Sequence, residues 1–291
     1  MSVDEDPVIK KLIAWAEGKP SVRAMLLTSN RAVPDTVPDA FSDYDVIIVA
    51  TDINEFLDDS WLGDFGRVLT VYRDPVRMES GFERFTRVTQ YEDGLKIDFS
   101  VCPVGWLQYV AEQPILPEEL DVGYRALLDK DNLAEDLKPP TYTAFIPTPP
   151  TPKEYHEAIE NFFSNSAYVA KQICRGDLMA TIATLDDRMK LHRIRQMLDW
   201  KIAIDTGWVL PSGAYGKGLK KRLDPETWAA LEATWTGAGK TARWEALFRT
   251  IDLYRRVAKE VGASLGFTYP QDMDDRVAAY LRRIKARDET Q

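Results

Sequence analysis

Residues 26–50 read LLTSNRAVPDTVPDAFSDYDVIIVA, and the rest of the chain is placed relative to them. The stretch starts as an apolar strand, breaks at Thr28, Ser29, Asn30 and Arg31, and crosses a loop that holds Pro34 and Pro38. It re-enters a strand through Asp43-Tyr44-Asp45 and runs on as Val46-Ile47-Ile48-Val49. Side chains alternate across a strand, so Asp43 and Asp45 share a face, roughly 6–7 Å apart along the backbone. Two carboxylates on one face repel, and a divalent cation with oxygen ligands, magnesium above all, neutralises such a pair. The same short motif also serves merely to cap and solvate a turn.

A third carboxylate separates these readings. Residues 85–101, FTRVTQYEDGLKIDFSV, read as two strands joined at Asp93-Gly94, a pair suited to the positive φ angles of a tight hairpin. In the second strand Leu95, Ile97, Phe99 and Val101 form the apolar face, and Lys96, Asp98 and Ser100 the other. A sheet that sets this strand beside the one carrying Asp43 and Asp45 gathers three carboxylates. That number is enough to hold two metal ions about 3.5–4 Å apart around a transferring phosphoryl group.

The 291 residues, 45% of them hydrophobic, suffice for two domains with separate cores. Apolar runs are too short to span a bilayer, and the start MSVDEDP is acidic where a secretory signal is basic, so a cytoplasmic, soluble protein is expected. Cys102 and Cys174, the only cysteines, form no metal or redox motif and read as buried thiols. The formal charge of −9 opposes attraction to nucleic acid and suits a small cationic partner. Of the two histidines, His156 falls in a helical pattern beside charged residues and reads as surface, and His192 lies in a basic helix without a nearby Ser or Cys nucleophile signature, which argues against a histidine-based hydrolase.

In chain order, residues 7–18 have a leading proline, a closing glycine and apolar positions at helical spacing, hence a helix. Strands are expected at 22–27, 43–51 and 67–73. Between them Asp52 reads as the N-cap of a helix through Trp61 and Leu62, with Glu55 completing a capping box. A short helix follows at 106–112, and residues 126–131 read as a last strand or the domain's end. Residues 138–153, KPPTYTAFIPTPPTPK, carry six prolines and read as an extended connector. The expected division is therefore 1–137, a linker at 138–153, and 154–291. The last part shows apolar stripes at helical spacing over 154–175, 178–206, 225–235, 241–265 and 272–286, an all-helical pattern whose aromatic residues read as core.

Ordered motifs in both halves then resemble a known family. They are Phe41-Ser42-Asp43-Tyr44-Asp45, Trp61-Leu62-Gly63-Asp64-Phe65-Gly66, Asp93-Gly94 with Ile97-Asp98, and Leu127-Leu128-Asp129-Lys130-Asp131-Asn132. The second half adds Lys171 and Arg175, Met197-Leu198-Asp199-Trp200, Gly216-Lys217, and Tyr269-Pro270-Gln271-Asp272 with Asp274-Asp275. The chain resembles the aminoglycoside 6-adenylyltransferases (streptomycin adenylyltransferases) of the polymerase β-like nucleotidyltransferase superfamily over nearly its full length. The resemblance implies an α+β architecture, with an N-terminal nucleotidyltransferase domain built on a mixed β-sheet flanked by helices and an all-helical C-terminal domain. It also implies transfer of AMP from ATP to a hydroxyl of streptomycin, with magnesium, by a chain expected to be monomeric.

On this reading Asp43 and Asp45 hold the metal, and Asp98 completes a second metal site or takes the proton of the attacking hydroxyl. Lys171 and Arg175, at i and i+4, face one direction and are expected at the triphosphate. Asp199 and Trp200 are expected to receive a guanidinium-bearing substrate, the carboxylate by bidentate bonding and the ring by stacking. In the family the first strand usually ends in Gly-Ser-Arg, where this chain has Ser29-Asn30-Arg31. Asn30 and Arg31 still offer donors to phosphate, while Ser29 adds a Cβ beside it. Two other readings stay open: a nucleotidyltransferase with a different acceptor, and a non-catalytic nucleotide or drug binder motivated by that departure.

Overall fold

In the computed structural model, which describes residues 6–34 and 36–290, the chain divides into two units that meet at Ala144 and Phe145. The first opens with helix α1 (Pro7–Glu17), whose N-cap Asp6 accepts from Val8 and Ile9 and whose proline sits in the first turn. Its strands are β1 (Val22–Thr28), β2 (Tyr44–Ala50), β3 (Val68–Arg73), β4 (Arg77–Glu79), β5 (Phe82–Tyr91) and β6 (Lys96–Pro103). Two helices, α2 (Val104–Glu112) and α3 (Glu118–Asp121), precede a last strand, β7 (Tyr124–Asp129).

The sheet order is β3-β5-β6-β2-β1-β7, with β4 paired to β5. β2 and β6 run parallel and every other pair is antiparallel, so the sheet is mixed. β1 and β2, each an almost unbroken apolar run, are buried on both faces. One face packs on α1 and an aromatic cluster in which Trp61 meets Phe99 edge-on at 4.9 Å and Phe65 lies 5.1 Å from Phe99. The other face packs on α2 through Trp106, Leu107 and Val110. The hairpin turn expected at Asp93-Gly94 is present, with Gly94 at φ 91° and Asp93 Oδ1 accepting from Leu95 N.

The helix expected after Asp52 is replaced by two short 3₁₀ turns, Ile53–Phe56 and Asp59–Asp64. Asp52 does act as a cap, accepting from Asn54 N, but a second cap, Asp58, accepts from Ser60 N. The Phe56 carbonyl, which an α-helix would give to Ser60, instead accepts from the Trp61 indole at 3.2 Å. Burying Trp61 with its N–H satisfied takes precedence over helix propensity.

Of the proline-rich stretch at 138–153, residues 141–143 are tied to the first unit, because Asp121 accepts from Thr141 N, Thr141 Oγ1 and Thr143 N. The second unit is helical: α4 (Pro152–Arg175), α5 (Leu178–Ile182), a π-helical run (Ala183–Ile194), α6 (Arg195–Asp205), α7 (Leu219–Arg222), α8 (Pro225–Glu232), α9 (Lys240–Leu265) and α10 (Gln271–Asp288). Helix α4 starts two residues inside the expected linker, where Thr151 and Glu154 form a reciprocal capping box. Its core centres on Phe162 stacked at 3.7 Å on Tyr254 of α9. The single helix expected over 178–206 changes register at its start, where Thr181 and Thr184 hydroxyls bond the Asp177 and Ala180 carbonyls and compete with the backbone ladder. Cys102 is buried, whereas Cys174 is only half-buried. Among the described residues no helix is long and apolar enough to cross a membrane.

Candidate active site

The parallel pairing of β2 with β6 sets Asp45 directly beside Asp98. Asp43 lies two residues before Asp45, on the same side of the strand line, because the Tyr44 side chain between them turns inward and is buried. Lys96 stands two residues before Asp98 on the exposed face of β6, and its Nζ donates to Asp43 Oδ2 at 2.7 Å and to Asp98 Oδ2 at 2.8 Å. Burial works against the Lys96 charge, but the bonds to Asp43 and Asp98 outweigh it and raise its pKa. Asp98 Oδ1 is buried without a hydrogen-bond partner. The Asp45 carboxyl is held above its ordinary range, chiefly by burial and next by the Asp98 charge, and a hydrogen bond from the Ser29 hydroxyl and the Lys96 charge pull the other way.

Ser29 begins a 3₁₀ turn, Ser29–Arg31, directly after β1, and sits at φ 62°. That backbone region is sparsely populated by non-glycine residues, which accounts for a glycine being usual there. Asn30 is exposed. Arg31 is not presented as a phosphate donor: its Nε donates to Asp43 O at 2.9 Å, its Nη2 to Ser42 O at 2.8 Å, and its Nη1 pairs with Asp6 Oδ2. The guanidinium also stacks 3.6 Å over the Tyr44 ring. Tyr44 donates from its hydroxyl to Asp6 Oδ2 at 2.7 Å, and burial followed by that bond pushes its pKa up to about 12. Arg31 is thus a clasp that fixes the loop ahead of Asp43, a role set by carbonyls that lie eleven and twelve residues away.

A family model described as streptomycin adenylyltransferase matches residues 3–284. The chain belongs to that family. It is therefore a nucleotidyltransferase. The aminoglycoside 6-adenylyltransferase of Bacillus subtilis (strain 168) is 27% identical over 286 residues, covering 96% of this chain and 97% of its own. The aminoglycoside 6-adenylyltransferase of Campylobacter jejuni is also 27% identical, covering 97% and 96%, and that of Staphylococcus aureus is 23% identical, covering 91% and 93%. A crystal structure of an aminoglycoside 6-adenyltransferase from Bacillus subtilis aligns with a TM-score of 0.45 at 23% identity, over 96% of this chain and 97% of that one.

For a streptomycin adenylyltransferase family member the carboxylate face has the donors a divalent cation takes. They are hard carboxylate oxygens, one of them, Asp98 Oδ1, buried and unpartnered. Among the described residues no three His, Cys, Asp or Glu side chains already converge as a metal-holding group. The cation between Asp43 and Asp98 is the Lys96 ammonium.

In the second unit Lys171 and Arg175 are exposed one turn apart on α4, with Lys171 Nζ 5.8 Å from the Tyr168 ring centre. Asp199 on α6 is mostly buried, pairs at 3.6 Å with Arg195 and keeps Oδ1 buried without a partner. Burial raises its pKa, against the Arg195 and Arg222 charges and a Ser212 hydrogen bond. Trp200, expected to stack on a ligand, is instead only 7% exposed and belongs to the helical core. Adjacent helix positions point about 100° apart, so Asp199 and Trp200 do not share one wall. Sequence reasoning assigned no role to Lys96, although Lys96-Ile97-Asp98 on one strand already puts both charges on one face. Nothing local marks Asp6 or Tyr44 as supports of the loop.

Proposed function

We propose that the chain transfers AMP from ATP to a hydroxyl of an aminoglycoside, with streptomycin as the acceptor. The observation that carries this reading is the register of Asp45 against Asp98, with Asp43 on the same side. Magnesium held by Asp43 and Asp45, and by Asp98 where a second ion binds, would neutralise the phosphate charge. Asp98 accepts the proton of the attacking hydroxyl at Oδ1, whose lone pairs no protein group uses. The acceptor oxygen bonds to the α-phosphorus, the bond from that phosphorus to the bridging oxygen breaks, and pyrophosphate leaves. Ser29, by bonding Asp45, orients that carboxylate, and Asn30, exposed beside it, offers an amide donor to the nucleotide. Lys171 and Arg175 supply exposed cationic donors for phosphate. Asp199, with a buried acceptor atom, suits a guanidinium of the acceptor.

The test is magnesium-dependent release of pyrophosphate from ATP across a panel of aminoglycosides. The expected result is a signal with streptomycin and none with members that lack its guanidinium-bearing streptidine ring. Silence across the panel overturns the proposal. The left-handed backbone at Ser29, where the family usually has glycine, favours a second reading as a nucleotide binder without turnover. Heat of ATP binding in a silent enzyme is its expected signature.

A further inference from the structure

Three half-buried carboxylates, Asp43, Asp45 and Asp98, lie on one face at the parallel β2–β6 pair, and one protein cation stands among them. The Lys96 side chain is a quarter exposed, and both of its short contacts go to Oδ2 atoms, one from each of two strand lines. A cation that bridges the Oδ2 atoms of Asp43 and Asp98 lies where the Nζ lies. Asp45 has no salt-bridge contact with any cationic side chain among the described residues, only the Ser29 hydroxyl bond and the more distant Lys96 charge offset it, and Asp98 Oδ1 has no hydrogen-bond partner. One ammonium against three acids leaves negative charge uncompensated, and a divalent ion supplies one charge more than the ammonium it replaces.

We propose that Lys96 is a displaceable counter-ion, whose ammonium holds Asp43 and Asp98 together in the metal-free enzyme and is exchanged for a divalent cation when the site loads. The inference rests on the reading above that these acids hold metal, and it makes Lys96 a positioning residue. Two opposite effects follow. Lys96 competes with the incoming ion and lowers metal affinity, and it offsets carboxylate repulsion and so stabilises the empty site.

The experiment titrates Mn²⁺ into the metal-free full chain, followed by the electron paramagnetic resonance of free Mn²⁺ and by thermal melts, for the native protein, Lys96→Met, Lys96→Gln and Asp45→Asn. The expected result is about tenfold tighter Mn²⁺ binding in Lys96→Met and Lys96→Gln, as removing one unit charge at contact distance implies. Both should melt lower than native without metal and match it at saturating Mn²⁺. Equal or weaker Mn²⁺ binding in both Lys96 variants, with Asp45→Asn losing the ion, overturns the exchange and leaves the metal reading standing. Mn²⁺ binding that Asp45→Asn does not disturb overturns the metal reading and this inference with it. A melting deficit that Mn²⁺ leaves unchanged assigns Lys96 a purely structural role and also overturns the proposal.

Discussion

Asp274 shows how a carboxylate behaves when its partners are complete. Arg255 donates to both of its oxygens, at 2.6 and 2.8 Å, and Tyr269 adds a third bond at 2.8 Å, all at 1% exposure. Burial alone would raise its pKa, but Arg255 and then Tyr269 outweigh burial and lower it. A depressed folded pKa contributes stability that is present above the unfolded value, about 3.9, and is lost as pH falls through the folded value. Asp274→Asn should therefore cost about 3–5 kcal/mol near pH 7, leaving Arg255 half-paired, and the deficit should shrink in melts taken at progressively more acid pH. A deficit that is constant with pH would show that packing, not charge, holds the cluster. Asp45 is the contrasting case, since burial raises its pKa and leaves it costly to ionise. Asp45→Asn is expected to abolish nearly all turnover while the melting temperature of the metal-free protein does not fall. For Asp98→Asn the expected loss is about 10²–10⁴ in kcat with ATP binding kept, as for removal of a general base. Loss of ATP affinity in parallel would make Asp98 a metal ligand only.

Helix α4 begins at a reciprocal cap, Thr151 with Glu154, in which Thr151 N donates to Glu154 Oε2 at 2.7 Å and Glu154 N to Thr151 Oγ1 at 3.2 Å. Removing such a cap costs about 1 kcal/mol, which shifts the melting of a unit this size by roughly 2–4 °C. Thr151→Ala should show that shift and Thr151→Ser should not. A larger element-level loss is expected where α4 meets α9. Phe162 is fully buried against Tyr254, so Phe162→Ala should cost about 3–5 kcal/mol, read as a fall in the denaturant midpoint. The 3₁₀ turns at 53–56 and 59–64 make the converse point, because Trp61 takes a carbonyl that a helix would use and the aromatic packing beneath the sheet is stabilised in exchange.

At the scale of the chain, the net charge of −9 favours approach of a cationic acceptor over long range, and salt screens that attraction with a Debye length of about 8–10 Å at physiological strength. The KM for the proposed cationic acceptor should rise severalfold on going from low salt to about 0.5 M, with kcat little changed. A KM that ignores salt would confine recognition to short-range contacts such as Asp199. Each unit has its own core, two layers on the sheet in one and a helical core in the other. Residues 145–291 expressed alone should therefore give a helical circular dichroism spectrum and a cooperative melt.

The residues by themselves determined what depends on neighbours a few positions away. Alternation in 95–101 settles that Asp98 and Lys96 leave the core while Ile97, Phe99 and Val101 enter it, and helical spacing settles α4, α9 and α10 nearly to their ends. The tight turn at Asp93-Gly94 is equally local. Only the tertiary structure decided that β2 lies beside β6, parallel and in the register that faces Asp45 with Asp98, because that pairing joins residues 53 apart and no local pattern encodes it. The same holds for Lys96 between two acids, for Arg31 spent on the Ser42 and Asp43 carbonyls, and for Trp200 inside the helical core. A side chain's type states which bonds it is able to make, and which of them it makes is settled by the groups that folding brings within about 3 Å.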